Sequence, residues 1–332
     1  MRNNGVSLSK VLITGGAGFI GACTAEKLVS LGHEVISVDN FQEPYVDLKR
    51  FRAAQIEKVK GIRLVTGDIN NTDFLRRLIR DEGIETVIHE AAKTGVRESL
   101  KNPFVYNQEN IGGTLSVLHA CMDSNVKRII NASATSVFGN PQYSPIDEKH
   151  PKNPISPYGL SKYAAEYYVQ MYNQLYNLPT VVLRYFTVYG YRGRAENAIT
   201  RFIVRAIHGY PIEIYGSGEQ GRGFTFIDDI VAANVAAMER NSAVGHDLNI
   251  GGSESIRIID LARKILQLTG SKSGIKHLEA KSGEIMQSLA DTKKAERILG
   301  WKEKVNLEQG LKITHDWYKR NPDVYFKYCC EA

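Results

Sequence analysis

Only four cysteines (Cys23, Cys121, Cys329 and Cys330) occur in 332 residues. Their spacing matches no metal-ligand pattern and is too sparse for a disulfide scaffold. Reduced thiols, no metal and a cytoplasmic location are the expectation. Long apolar runs are missing as well: no stretch approaches the ~20 residues needed to cross a bilayer. The opening MRNNGVSLSK lacks the apolar core of a signal peptide, so no membrane association is expected. Nor is there a long basic run. The net charge of +6 is spread along the chain. That distribution argues against a nucleic-acid partner, and a small anionic substrate is enough to explain it. Internal repeats and low-complexity tracts are absent. What remains is ordinary for a globular protein, with 43% hydrophobic and 23% charged residues. The length suits one large α/β domain plus a smaller one.

The most informative segment is Thr14-Gly15-Gly16-Ala17-Gly18-Phe19-Ile20-Gly21. It follows the apolar run Val11-Leu12-Ile13 and opens a helical pattern through Ala25, Leu28 and Val29, ending at Gly32. Strand, glycine loop and helix form the context in which such glycines bind a dinucleotide. Gly15 permits a tight turn, Gly18 lets a pyrophosphate approach the backbone, and Gly21 allows close packing of helix on strand. The helix N-terminus offers free N–H groups and a positive dipole end to the phosphates. A second run, Glu34-Val35-Ile36-Ser37-Val38, ends at Asp39, about 20 residues past the loop, where a carboxylate binds the ribose 2′-OH of NAD. Asn40 follows, with no Arg to favour a 2′-phosphate. NAD is the expected cofactor.

Further along, strand-like runs (62–66, 86–89, 127–131, 180–185) alternate with helical ones (about 72–80, 105–123, 157–176). This alternation predicts a Rossmann-type doubly wound parallel sheet. Ligand should lie beyond the strand ends, near Asp39, Asp68, Ala91 and Ser133. After Tyr185 the segments shorten and glycines cluster, with helices near 228–239, 258–268 and 307–319. The expected division is an NAD-binding domain of 1–184 plus about 225–250. A smaller α/β substrate lobe takes 185–224 plus about 251–332.

Chemistry is expected from Ser156-Pro157-Tyr158-Gly159-Leu160-Ser161-Lys162. Ser156 suits a helix N-cap and Pro157 the first helical position. Tyr158 and Lys162 then share one helix face. A nearby ammonium would lower the tyrosine pKa and let it take a proton from a sugar hydroxyl. Tyr45 and Lys49 show the same spacing; their polar stretch reads as a solvated face. His89, at a strand end in an apolar run, reads as structural.

Together the glycine loop, Asp39, Asp68, Ala91-Ala92 and Tyr158/Lys162 resemble the extended short-chain dehydrogenase/reductase superfamily over nearly the whole chain. Within it the chain most resembles nucleotide-sugar epimerases of the UDP-galactose 4-epimerase type. The segments that carry this are HEAAKTGVRESLKNP (89–103), LRYFTVYG (183–190), FTFIDDI (224–230), LNIGG (248–252) and SLADTKKAERILGW (288–301). The resemblance implies a tightly held NAD that stores hydride while the sugar is a 4-keto species. The sugar turns over, hydride returns to its other face, and Tyr158 handles the 4-OH proton. It also implies a UDP-sugar substrate and a homodimer pairing helices 105–123 and 157–176. By resemblance the cofactor would touch Gly15, Gly18, Phe19, Ile20, Gly21, Asp39, Asn40, Asp68, Ile69, Ala91, Ala92, Lys93, Asn110, Tyr158, Lys162 and Tyr185. The sugar nucleotide would touch Arg97, Thr187, Arg222, Lys281, Glu284 and Ser288.

The chain also departs from its relatives. Where they carry a Ser or Thr four residues before a Tyr-Gly pair, this chain has Ala134, with Phe138 in place of the tyrosine. Thr135 is the favoured replacement hydroxyl, with Ser133 or a water as alternatives. Dehydratases place Asp-Glu at 135–136, and uronate decarboxylases a Glu; Thr135-Ser136 argues against both. Arg222 matches the diphosphate-binding Arg, although Gly223 replaces the usual Asp. Lys281 stands in for a second Arg and cannot make a fork. Ser288, small where a gate residue is expected, points to N-acetylated or C6-oxidised sugars or to broad specificity. Arg97 could meet a uronate carboxylate or pair with Glu98 or Glu109. A catalytically weak NAD or nucleotide-sugar binding protein is the alternative from another class.

Overall fold

The computed structural model describes residues 8–280 and 286–331. Six strands, β1 (Lys10–Thr14), β2 (Glu34–Asp39), β3 (Ile62–Thr66), β4 (Thr86–His89), β5 (Arg128–Ala134) and β6 (Thr180–Tyr185), build one sheet with the strand Asp247–Ile250. Across the sheet the order is Asp247–Ile250, β6, β5, β4, β1, β2, β3. All pairs are parallel. The central strands are near-continuous apolar runs because helices cover both sheet faces. Side chains alternate between the two faces. Val11 and Ile13 of β1 join a core with Leu28, Ile88, Ile130 and Leu183, while Leu12 joins Ile36, Leu75, Val87, Val117 and Ile129 on the other side.

The chain winds outward from β1 to β3, then crosses back to β4 beside β1. Loops leaving β1 and β4 therefore run in opposite directions, and a crevice opens at that reversal. Helix α1 (Phe19–Ser30) leaves β1 through the glycine loop. A third core gathers Phe202, Ile203, Phe226, Leu261 and Tyr318 with Phe19 and Cys23 of α1.

Three features differ from the expected elements. The helix expected near 105–123 is a helical turn Pro103–Tyr106, a π-helical segment Asn107–Gly112 and a helix Gly113–Met122. Strand β5 runs to Ala134, three residues past the apolar run that marked it, so Ser133 and Ala134 lie in the sheet. A helix Ala198–Ile207, buried through Ile199, Phe202, Ile203 and Ala206, was not expected. Its apolar positions follow the helical period, but they stand among glycine-rich segments that read as loop.

Candidate active site

The glycine loop is shaped by backbone crowding. Gly15 has φ +69°, and a Cβ there would lie 2.8 Å from the Ala91 backbone, which fixes β1 and β4 side by side. A Cβ on Gly21 would lie 2.4 Å from the Gly15 carbonyl oxygen. Gly21 is thus required by the turn itself, where close packing of helix on strand was expected. No side chain caps α1 at Gly18, so its first-turn N–H groups remain available to an anion. At the end of β2, Asp39 accepts the Ala17 N–H at 3.2 Å and the Phe41 N–H at 2.9 Å. Loop and carboxylate are therefore one unit. Lys49 Nζ lies 3.5 Å from Asp39. Tyr45 packs edge-on to Tyr328 and lines the same cleft. The Tyr45/Lys49 pair is therefore not the solvated face expected of it, because the helix Val46–Ile56 turns this end toward Asp39.

The cleft at the sheet reversal has a volume of about 430 Å³. Gly15, Gly18, Phe19, Ile20, Gly21, Asp39, Asn40, Ile69, Ala91, Ala92 and Lys93 line it at one end; Tyr158, Lys162, Tyr185 and Thr187 line it at the other. A donor-rich helix N-terminus, a carboxylate and a long slot between them fit a dinucleotide. Asp68 stands outside that lining. Its Oδ1 accepts the Asn70 N–H at 2.8 Å and Asn70 Nδ2 at 3.0 Å, so it builds the turn that presents Ile69. Asn110, in the π-helical segment, accepts the Lys93 N–H at 2.7 Å and donates to the Lys93 carbonyl and to Ser161 Oγ. One side chain thus joins the loop after β4 to the helix that carries Tyr158.

That helix, Pro157–Tyr176, begins as its sequence implies: Ser156 Oγ accepts the Gly159 N–H at 3.1 Å and Pro157 follows. Tyr158 packs edge-on to Tyr106 and faces the cleft with Lys162. Burial raises the Tyr158 pKa, and the cation acting to lower it is Arg194. The expected lowering of the tyrosine pKa by the Lys162 ammonium is therefore not found, because burial outweighs the nearby positive charge. Burial also pushes Lys162 down to about 8, against the pull of Glu90 and Glu166. His89 is structural: it is buried between Thr14 and Thr114 hydroxyls and pushed down to about 3, chiefly by burial.

Among the candidate hydroxyls, Ser133 Oγ donates to Glu166 at 2.9 Å, which commits it. Thr135 lines the cleft, as does Ser136. Ser136 Oγ is buried with no hydrogen-bond partner. Sequence reading passed over Ser136; its adjacency to Thr135 was the only available signal.

In the lobe, Arg222 and Ser288 face one another across paired strands, away from the residues that line the cleft. Arg97 stacks on the Tyr215 ring at 5.2 Å instead of pairing with Glu98 or Glu109. Those two carboxylates engage Lys101 and Gln42. Lys281 and Glu284 lie outside the described residues. Three further residues escaped the sequence reading. Arg194, with Glu196 beside it, lines the cleft and acts on Tyr158. Glu90 lines the same cleft. Arg52 is buried behind the glycine loop, donating to the carbonyls of Arg192, Gly193 and Ala17 and to Tyr325 Oη. Its place one turn from both Leu48 and Ile56, on the buried face, was the missed signal.

Comparison with known proteins agrees with this geometry. A family model described as GDP-mannose 4,6 dehydratase matches residues 12–314. A UDP-glucuronate 4-epimerase of Thermodesulfobacterium geofontis is 37% identical over 316 residues, covering 94% of this chain and 97% of the relative. The crystal structure of a Bacillus cereus UDP-glucuronic acid 4-epimerase, in complex with UDP-glucuronic acid and NAD, superposes with TM-score 0.88 at 35% identity. It covers 94% of this chain and 99% of that one. A Thermotoga maritima UDP-glucose 4-epimerase with UDP-glucose gives TM-score 0.87 at 31% identity, with 94% and 99% covered. Sheet order, glycine loop, Tyr158/Lys162 helix and full-length similarity lead to one assignment: the chain belongs to the NAD-dependent epimerase/dehydratase family of extended short-chain dehydrogenases/reductases.

Proposed function

We propose that this chain is an NAD-dependent nucleotide-sugar 4-epimerase acting on UDP-sugars. The observation that carries the reading is one cleft holding the glycine loop, Asp39, Tyr158 and Lys162 together, with no carboxylate at 135–136. Bound NAD would supply a hydride acceptor and a cationic ring. The chain's own groups do the rest. The α1 N-terminus and Asp39 hold the cofactor's diphosphate and ribose. Tyr158 Oη takes the sugar 4-OH proton and later returns it, and Lys162 holds the nicotinamide ribose. Dehydration and decarboxylation are disfavoured because Thr135 and Ser136 offer no acid or base of carboxylate type. Arg194 lies near Tyr158 but is already paired with Glu196, so it does not choose among the candidate sugars. Arg222, Ser288, Lys281 and Glu284 are assigned to the nucleotide and its sugar.

Purified protein, given UDP-glucose, UDP-GlcNAc or UDP-glucuronate without added NAD, is expected to form the 4-epimer without CO₂ or a keto product. Failure with every sugar would replace this reading with that of a binding protein.

The hydroxyl missing at Ala134 is assigned to Thr135, with Ser136 beside it. Thr135→Val should lower turnover about 10–100-fold. If that variant runs near the parent rate and Ser136→Ala carries the loss, the assignment moves to Ser136.

We also assign an NAD-binding domain to 1–184 plus about 225–250 and a substrate lobe to the rest. The protein is read as a cytoplasmic homodimer; no helix among the described residues is long and apolar enough to cross a membrane. Phe104 (83% exposed) stands just before the first helical stretch expected to pair, and Leu160 (56%) lies on the second, where a monomer would leave them in water. Sedimentation should give twice the 37.1 kDa chain mass, and a Phe104→Glu variant should sediment as monomer. A monomeric parent would remove the dimer.

A further inference from the structure

The segment that joins β2 to the helix Val46–Ile56 is a wall of the cofactor cleft only one chain thick. Gln42, Glu43 and Pro44 line the cleft and are exposed to solvent as well. Residues 40–44 belong to none of the apolar cores, so burial does little to hold them. The two ends are fixed. Asp39 accepts the Phe41 N–H at 2.9 Å, and the Tyr45 ring rests on Tyr328. Phe41 and Tyr45 have φ of +53° and +70°. Side chains of that bulk take left-handed backbone only where the surroundings hold them there.

Three side-chain ties do the holding. Lys49 Nζ, one turn into the following helix, donates to the Gln42 carbonyl at 3.0 Å. The other two come from across the cleft. Lys93 Nζ, in the loop after β4, donates to the Glu43 carbonyl. Gln42 Nε2 donates to Oε1 of Glu109, in the π-helical segment, at 3.5 Å. In the sheet β1 lies between β2 and β4. The Lys93–Glu43 bond therefore joins loops that leave strands roughly 10 Å apart, with the glycine loop of β1 between them. Two ties at partly exposed sites are weak enough to break and remake on the time scale of loop motion.

We propose that residues 40–45 are a lid on the cofactor cleft, latched across it by Lys93 and Gln42, that lifts to let NAD enter or leave. The proposal rests on NAD as the occupant of the cleft and not on which sugar reacts. Lid and ligand roles for Lys93 have different signatures. A latch sets the barrier to passage, so its loss speeds entry and exit alike and leaves Kd in place. A lysine that only grips the cofactor diphosphate stabilises the bound state, so its loss raises the exit rate and Kd together. Removing a cation from an anion-binding cleft would, if anything, slow entry.

Release is measured by chasing labelled NAD from the full-length holoprotein with excess unlabelled NAD, and Kd by equilibrium dialysis of the labelled cofactor. Lys93→Met should release NAD about tenfold faster, with Kd within about threefold of the parent, as loss of one charge-assisted hydrogen bond from a latch requires. An unchanged release rate, or release and Kd rising together, would overturn the lid. Should Lys93→Met fail to fold, Gln42→Ala cuts the second tie at an exposed and uncharged residue. There release should be about threefold faster at the parent's Kd, and an unmoved release rate would overturn the proposal as surely. Neither measurement uses a sugar, so a protein inactive with every UDP-sugar still gives the answer.

Discussion

Tyr158→Phe is expected to lower epimer formation by roughly 10³-fold while leaving the bound NAD content and the melting temperature at parent values. The variant keeps the ring that packs edge-on to Tyr106 and removes only the oxygen that faces the cleft. Packing and cofactor grip should survive, and proton transfer should not. Rate with the preferred UDP-sugar and absorbance of the released cofactor are the two measurements. Turnover within tenfold of the parent would remove Tyr158 from the reaction. The sign of the pH dependence follows from its surroundings. Burial raises the Tyr158 pKa, so its phenolate becomes more populated as pH rises. Turnover should climb from acid pH and level off where Lys162 loses its charge near pH 8, because the gain in phenolate and the loss of ammonium then offset one another.

Breaking the buried charge network behind the site should cost about 3–5 kcal/mol of stability. Arg184, fully buried on β6, meets Glu166 from the catalytic helix and Asp247 from the edge strand. Glu166 also accepts from Ser133 on β5, and Lys294 closes the set at 2.9 Å from Asp247. Glu166→Gln leaves Arg184 under-compensated in the interior, which is the source of the penalty. A double variant, Glu166→Leu with Arg184→Met, removes both desolvated charges and should recover most of the loss, since Asp247 keeps Lys294. Urea denaturation measures both. A single variant within 1 kcal/mol of the parent would show that the network is not under this load. The acid side carries its own signature. Burial would raise the Asp247 pKa, but Arg184 and Lys294 overcome it and hold the carboxyl at about 2. A depressed folded-state pKa contributes stability that is present above about pH 4 and lost as pH falls toward 2.

The sheet and the cofactor end were legible from sequence because each depends on local pattern. β1, the glycine loop and α1 are contiguous, and every requirement on Gly15 or Asp39 is met within 25 residues or by the neighbouring strand. The Ser156-Pro157 start gave away the catalytic helix for the same reason. The rest depends on contacts between distant parts of the chain. Nothing local marks Glu90 as meeting Tyr185 and Asn234 or commits Ser133 to Glu166. Tyr45/Lys49 misled because the sequence shows a polar stretch and not the acidic partner, Asp39, that it folds against. The π-helical segment was invisible as well: periodicity sees a helix from 105 to 123, and one extra residue per turn is too small a departure to register.

Arg52 has a consequence for the order in which the molecule can be made. It braces the glycine loop through the Ala17 carbonyl, yet its other partners are Arg192, Gly193 and Tyr325, the last 273 residues away. Tyr45 and Asp47, at the start of the same helix, likewise rest on Tyr328 and Lys327. A contact of that sequence separation bears a large loop-closure cost and forms late. On the ribosome, β1, α1 and Asp39 emerge first and can adopt their local shapes. Their brace emerges about 300 residues later. Completion of the cofactor cleft thus waits for residues 325–328, and translation itself sets when the nascent protein can hold its cofactor.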